Sequence, residues 1–186
     1  VESVAWSPDG SKLATGGEDS RVHVFSSGGK LLWSYETNGW VRSVDWNGKG
    51  SKLAIVSNYL LVISMPLLKV SCAPGCEVYV DGSRLGEAPL EEYLAPSVHE
   101  VTLRYDGTEW STTVSLGLGR VEVLNVSWSL LRVSCWPSCD IYVDGSRIKA
   151  VPAAVYVPSG VRVVRACLFF LCRERAVSVS EGKETS

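Results

Sequence analysis

The 186-residue chain contains no glutamine, a single methionine and only two histidines. It has no GxSxG, P-loop, HExxH or strand-GxGxxG-helix pattern, and His23 and His99 lie far apart without a Ser-His-Asp or CxxC setting. Both read as surface or strand histidines. Nucleophilic, phosphate-cradling and zinc-hydrolase chemistry thus lack a carrier. No residue is assigned as catalytic, and no metal or cofactor is expected. No apolar run reaches the roughly 20 residues that a membrane-spanning helix needs. The longest, Tyr59 to Leu68, is broken by Ser64 and Pro66 and reads as a buried strand. A net charge of −2 argues against nucleic acid as a partner. The chain opens at Val1 without an initiator methionine or a charged-then-apolar leader, so further sequence is expected before it.

What the chain does have is repetition. Leu67 to Arg84 (LLKVSCAPGCEVYVDGSR) returns 63 residues later as Leu130 to Arg147 (LLRVSCWPSCDIYVDGSR), with 13 of 18 positions identical. A fixed internal period marks one folding unit used twice. Within the unit, Val-x-Cys, then Glu77 to Val80, then Asp81-Gly82 predict strand, tight loop, strand and hairpin turn, because Asp-Gly readily takes positive φ. Val101 to Leu103 and Val114 to Leu116 flank Tyr105-Asp106-Gly107-Thr108 as a second hairpin, and Val121 to Trp128 closes the unit. The second copy follows without a gap as far as Gly182. Residues 67–129 hold four basic and nine acidic side chains, residues 130–186 eight and five, so the copies carry −5 and +3. Opposite signs allow head-to-tail attraction, although exposed pairs are individually weak.

A second repeat has a period of 40. VESVAWSPDGSKLA (Val1 to Ala14) reappears as VRSVDWNGKGSKLA (Val41 to Ala54), matching at nine of 14 positions. Val4, Trp6 and Leu13 mark half-buried strands around the turn Ser7-Pro8-Asp9-Gly10, and Trp6 and Trp46 are expected in the core. On VAWSPDGSKLATGGEDSRVHVF, with Asp19 at the turn-aspartate position, the segment resembles WD-repeat β-propeller blades. Phe25-Ser26 replaces the signature Trp-Asp, and the Gly-His before the first strand is missing. Seven expected strands, ending near Ile63, make about 1.6 blades of the four to eight a propeller needs. The resemblance therefore implies more blades before Val1.

The duplicated unit resembles the PEGA domain, a compact antiparallel β domain. The carriers are Ala73-Pro74-Gly75-Cys76-Glu77-Val78-Tyr79-Val80-Asp81-Gly82 with Gly86-Glu87-Ala88-Pro89-Leu90. In the second copy they are Pro137-Ser138-Cys139-Asp140-Ile141-Tyr142-Val143-Asp144-Gly145 with Pro152. Cys76 and Cys139 stand where the family often has alanine, and Lys149 replaces the later glycine. The resemblance implies a non-catalytic module of surface proteins or of larger regulatory proteins, with a role in binding carbohydrate or protein.

The six cysteines fall in three close pairs, Cys72 and Cys76, Cys135 and Cys139, Cys167 and Cys172. Local disulfides are the leading reading. A four-thiolate zinc site from the two CxxxC pairs and free thiols remain open alternatives. Disulfides place the protein outside the cytoplasm or in the cytoplasm of a hyperthermophile. With no Gln, one Met and four Asn, the composition leans towards a thermophilic prokaryote or archaeon.

Cys167 and Cys172 align with Arg104 and Glu109 and flank the tip of the second copy's hairpin. There Leu168-Phe169-Phe170-Leu171 replaces Tyr105-Asp106-Gly107-Thr108, so apolar residues stand at an expected exposed turn. This marks either a contact surface or a loop folded back onto its own protein. Asp81 and Asp144 read as turn formers, and Glu91 and Glu92 as a solvated strand face. Trp110, Trp128 and Trp136 are candidates for stacking on a sugar, with packing as the alternative.

The expected fold is all-β: about 1.6 propeller-type blades over residues 1–66, then two small antiparallel, sandwich-like modules over 67–129 and 130–186. The expected function is non-catalytic binding or scaffolding at the cell surface or in an assembly, through protein partners, self-assembly or carbohydrate. The alternative is an accessory C-terminal region of a larger enzyme, such as a kinase or peptidase, with its catalytic domain upstream.

Overall fold

The computed structural model describes residues 1–134, 139–148, 153–168 and 171–181. Twenty strands and no helix occur among them. No helix of the described residues is long and apolar enough to cross a membrane. Cys135, Trp136, Phe169 and Phe170 lie outside the described residues. Two compact units are present. One comprises residues 1–69, 91–99 and 113–123, and the other residues 70–90, 100–112 and 124–186.

In the first unit, β1 (Ser3–Trp6), β2 (Lys12–Gly16), β3 (Arg21–Ser26) and β4 (Leu31–Glu36) form an antiparallel sheet in chain order. Then β5 (Ser43–Trp46), β6 (Lys52–Val56) and β7 (Leu60–Ser64) form a three-stranded one. The β1–β2 turn is set by Asp9, which accepts hydrogen bonds from the Ser7 hydroxyl at 2.5 Å, the Ser11 hydroxyl at 2.6 Å and the Ser11 amide at 3.1 Å. Gly10 follows at φ +69°, where glycine carries no Cβ penalty. Partial burial pushes the Asp9 carboxyl up, but the Ser11 and Ser7 hydroxyls, the Ser11 amide and the charge of Lys12 outweigh it and hold the pKa at about 2.

The two sheets share one core. Ala14, Val22, Val24 and Trp33 come from the first sheet, and Val44, Trp46, Leu53, Ile55 and Ile63 from the second, with Val41 between them. Polar contacts fix the join: Trp46 Nε1 donates to the Ala5 carbonyl at 3.2 Å and the Val44 amide to Ser3 Oγ at 3.1 Å. Gly16 is required here, since a Cβ at that position would run into the side chain of buried Val41.

Two expectations change. Trp46 is a core residue, but Trp6 is more than half exposed, because it is Ala5 of β1, not Trp6, that packs against the shared core. Tyr59 to Leu68 is not one buried strand. Pro66 separates β7 from β8 (Leu67–Ser71), and Leu60 and Val62 of β7 are exposed.

The duplicated region continues with β9 (Glu77–Val80), β10 (Ser83–Glu87), β11 (Leu90–Tyr93), β12 (Val98–Tyr105), β13 (Thr108–Ser115) and β14 (Val121–Asn125). They join in the orders β10-β9-β12-β13 and β11-β8-β14. The second copy supplies β15 (Trp128–Val133), β16 (Asp140–Val143), β17 (Ser146–Ile148), β18 (Ala153–Pro158), β19 (Gly160–Leu168) and β20 (Leu171–Val179). Their orders, β17-β16-β19-β20 and β15-β18, repeat β10-β9-β12-β13 and the β8-β11 pairing. Sequence identity at a spacing of 63 has become identity of strand order.

The aspartates of the Asp-Gly pairs are turn formers in both copies. Asp81 and Asp144 sit at φ +50° and +47°, each followed by a glycine at positive φ. Each also ties its turn to the next hairpin: Asp81 Oδ1 accepts from the Glu100 amide at 3.0 Å, and Asp144 Oδ1 from the Val163 amide at 2.8 Å.

Candidate binding site

Cysteines shape the loops first. Cys72 and Cys76 are joined in a disulfide with Cα atoms 6.2 Å apart, and the Cys76 amide donates to the Ala73 carbonyl at 3.1 Å. Cys139 is disulfide-bonded as well. Cys167 and Cys172 face each other across the β19–β20 ladder and are bonded, with Cα atoms 4.1 Å apart. In this arrangement Cys72 and Cys76 bond each other rather than presenting two thiolates. Among the described residues no group of three or more His, Cys, Asp or Glu could hold a metal ion.

The two hairpin tips differ in what they touch. At the first, between β12 and β13, the Tyr105 ring lies 5.5 Å from Trp128 and 5.3 Å, edge-on, from Tyr156. Aromatic pairs at this spacing contribute about 0.5–1.5 kcal/mol beyond area burial. Trp128 is buried in this contact and is unavailable to stack on a ligand. Beside it runs a cleft of about 240 Å³, with Thr108, Glu109, Trp110 and Ser111 on one wall and Val143, Asp144, Ser146, Ile148, Val155, Val157 and Pro158 on the other. Its polar groups are pre-positioned. Glu109 accepts from Arg104 Nε at 2.7 Å, Ser111 shares a 2.8 Å hydrogen bond with Thr102, and Asp144 also accepts from Arg162 at 3.0 Å. Trp110 is half-buried on the wall it shares with Thr108, Glu109 and Ser111. An indole edge among hydroxyls and carboxylates can accommodate a small ligand with one apolar and one polar face.

At the second tip, Leu168 and Leu171 take the positions of Tyr105 and Thr108 and pair with each other at the end of the β19–β20 ladder. Leu168 is half-buried and Leu171 is 81% exposed. From Leu171 to Ala176, β20 is exposed on both faces. The fold thus offers an apolar tip on a solvated edge strand, outside the cleft.

Other charges are structural. Arg84 Nε donates to Glu77 at 2.9 Å, and Arg147 donates to Asp140 at 2.6 Å at the same two positions of the second copy. The Arg84 hydrogen bond holds the Glu77 carboxyl below its usual range. Glu91 pairs with Lys69 at 2.6 Å, but Glu92 is no fully solvated residue: it is half-buried, and that burial raises its pKa. His23, half-exposed on β3, bonds Asp19 at 2.7 Å and Ser34 at 2.9 Å. His99 is buried on β12, with Nε2 2.8 Å from the Ala95 carbonyl.

Tyr105 escapes sequence reasoning, because an aromatic beside an Asp-Gly turn looks like any turn flank. Only the long-range meeting of the copies gives Tyr105 a role.

With the repeated strand order and its Asp-Gly turns in place, two family models match parts of the chain. Residues 66–134 match the PEGA domain. Residues 1–26 match the WD domain, G-beta repeat. The PEGA match covers β8 to β15 and so embraces the first copy. No curated protein matches the chain. Among solved structures it is similar to the Bacillus anthracis TIE protein, at 11% identity and a TM-score of 0.25, over 100% of this chain and 55% of that one. That likeness is too slight to add to the argument. The PEGA and WD matches suggest a binding or scaffold role, and the WD repeat suggests protein–protein interaction.

Proposed function

We propose that the protein is a non-catalytic scaffold acting outside the cytoplasm, in which WD-type sheets precede two PEGA-like modules and the second module's hairpin tip is a protein contact. The domain limits 1–66, 67–129 and 130–186 belong to this reading. The second module is inferred from its strand order, which repeats that of the PEGA-matched region. The disulfides fit an oxidising compartment.

One observation carries the contact: Tyr105 of the first tip is seated against Trp128 and Tyr156, while at the second tip Leu171 is 81% exposed. Polar turn residues there would cost nothing in water. An apolar residue held at a disulfide-braced tip is suited to burial by another protein. Replacing Leu168 and Leu171 with serine abolishes partner binding and leaves the unfolding midpoint unchanged; unaltered binding refutes the reading. The Trp110 cleft supports a second ligand class, carbohydrate, and Trp110→Ala then removes oligosaccharide binding measured by calorimetry.

A further inference from the structure

The hairpin of β19 and β20 is closed by Cys167 and Cys172, which face each other across the ladder. The first copy closes the same hairpin with the Arg104–Glu109 ion pair, so the fold does not depend on a covalent brace at this position. What distinguishes the brace is its surroundings. Cys172 is exposed, whereas Cys167 is buried and its Sγ accepts a 3.4 Å hydrogen bond from Arg165 Nε. Arg165 itself is exposed. Opposite Cys167 on β16 stands Asp140, whose negative charge is engaged by Arg147 at 2.6 Å.

Thiol–disulfide exchange needs an accessible sulfur to attack and a leaving thiolate of low basicity. The two requirements fall on different cysteines here. Cys172 can be reached from solvent, and a thiolate at Cys167 would form beside a guanidinium that already donates to that sulfur. A neighbouring cation favours the thiolate over the thiol. We propose that this disulfide is a site of thiol–disulfide exchange with an external dithiol reductant, in which Cys172 is the attacked sulfur, Cys167 the leaving group and Arg165 the residue that stabilises the departing thiolate.

In the first step a thiolate of the reductant bonds to Cys172 Sγ, the Cys167–Cys172 bond breaks, and its electron pair stays on Cys167. In the second, the reductant's other thiolate attacks its own sulfur in the mixed disulfide and expels Cys172. A pair of electrons has then passed to the protein: the dithiol has become a disulfide, and Cys167 and Cys172 are thiols carrying the protons the reductant gave up. The Cys72–Cys76 disulfide is the internal contrast. Cys72 is half-buried and Cys76 fully buried, so attack is more hindered and the expelled Cys76 thiolate would be desolvated. Exchange at Cys172 needs no partner at the hairpin tip and is separate from the contact proposed there.

Timed reduction of the folded, oxidised 186-residue chain tests this. Brief exposure to dithiothreitol, quenching with iodoacetamide and peptide mapping should find Cys167 and Cys172 alkylated several-fold faster than Cys72 and Cys76. Glutathione in place of the dithiol should be trapped on Cys172 and not on Cys167. Arg165→Gln should slow the reduction several-fold with unchanged circular dichroism, and Arg165→Lys, which keeps the charge, should restore most of the rate. Equal rates at the two disulfides would mean reduction through global unfolding and overturn the proposal. Glutathione on Cys167, or a rate that Arg165→Gln leaves unchanged, overturns it equally. A lysine variant as slow as the glutamine one assigns the effect to packing on the Tyr142 ring, 5.2 Å away, and overturns the role given to the charge.

Discussion

Arg104 donates from Nε to Glu109 at 2.7 Å across the first copy's hairpin, at the two positions where the second copy carries the Cys167–Cys172 disulfide. Related hairpins are thus closed by an exposed ion pair in one case and a covalent bond in the other. Arg104 also lies 4.3 Å above the Tyr79 ring, and the second copy, having lost that arginine, places Arg165 5.2 Å above Tyr142 instead. The cation over the ring is kept while its source moves.

Unequal sensitivity of the two hairpins follows. Replacing both Cys167 and Cys172 with serine should lower the stability of the second copy by about 2 kcal/mol on the chain-entropy view of so short a loop. Glu109→Gln should cost far less, since the pair it breaks is solvent-screened, and its effect should vanish in high salt. Urea unfolding of the variants measures both.

Gly16→Ala should destabilise the joined sheets by about 1–3 kcal/mol, the usual cost of overpacking, because the added methyl meets Val41. Gly10→Ala meets nothing within 4 Å and should suffer only from its positive φ. Denaturant midpoints at constant slope distinguish the two.

Asp144→Asn should be tolerated and Asp144→Ala should cost about 1–2 kcal/mol, since alanine at φ +47° suffers the left-handed penalty and loses the acceptor of the Val163 amide. Asp81→Ala should behave alike in the first copy. Comparing thermal midpoints of the three variants is sufficient.

Acid should weaken the turn that Asp9 holds. Its folded pKa, about 2, lies below the ordinary 3.8, so its stabilisation is present above pH 4 and fades as pH falls towards 2. Glu92 runs the other way. Burial raises its pKa, so its contribution is greatest where it is protonated and is lost as pH rises through the folded value. Asp9→Asn should flatten the acid limb of the stability profile, and Glu92→Gln should stabilise the protein at neutral pH.

How much of this the sequence discloses depends on range. Strands, Asp-Gly turns and cysteine partners are legible because they are local: Asp81 needs only Gly82 and a following hairpin to declare itself. Trp6 and Trp46 share their local pattern yet differ in burial, because burial depends on which sheet arrives on each face. Glu92 looked solvated for the same reason. Tyr105 gained its role only when Trp128 and Tyr156, distant in sequence, came against it.

The central claim, that the second hairpin tip faces a partner while the first is occupied internally, is tested most directly by a photo-cross-linking residue placed in turn at positions 108 and 171 in cells that make the protein. The account predicts cross-links from position 108 only to the chain's own second module, around Val143 to Ile148 and Val155 to Pro158, and cross-links from position 171 to another polypeptide. Cross-links from position 171 confined to the same chain would contradict it.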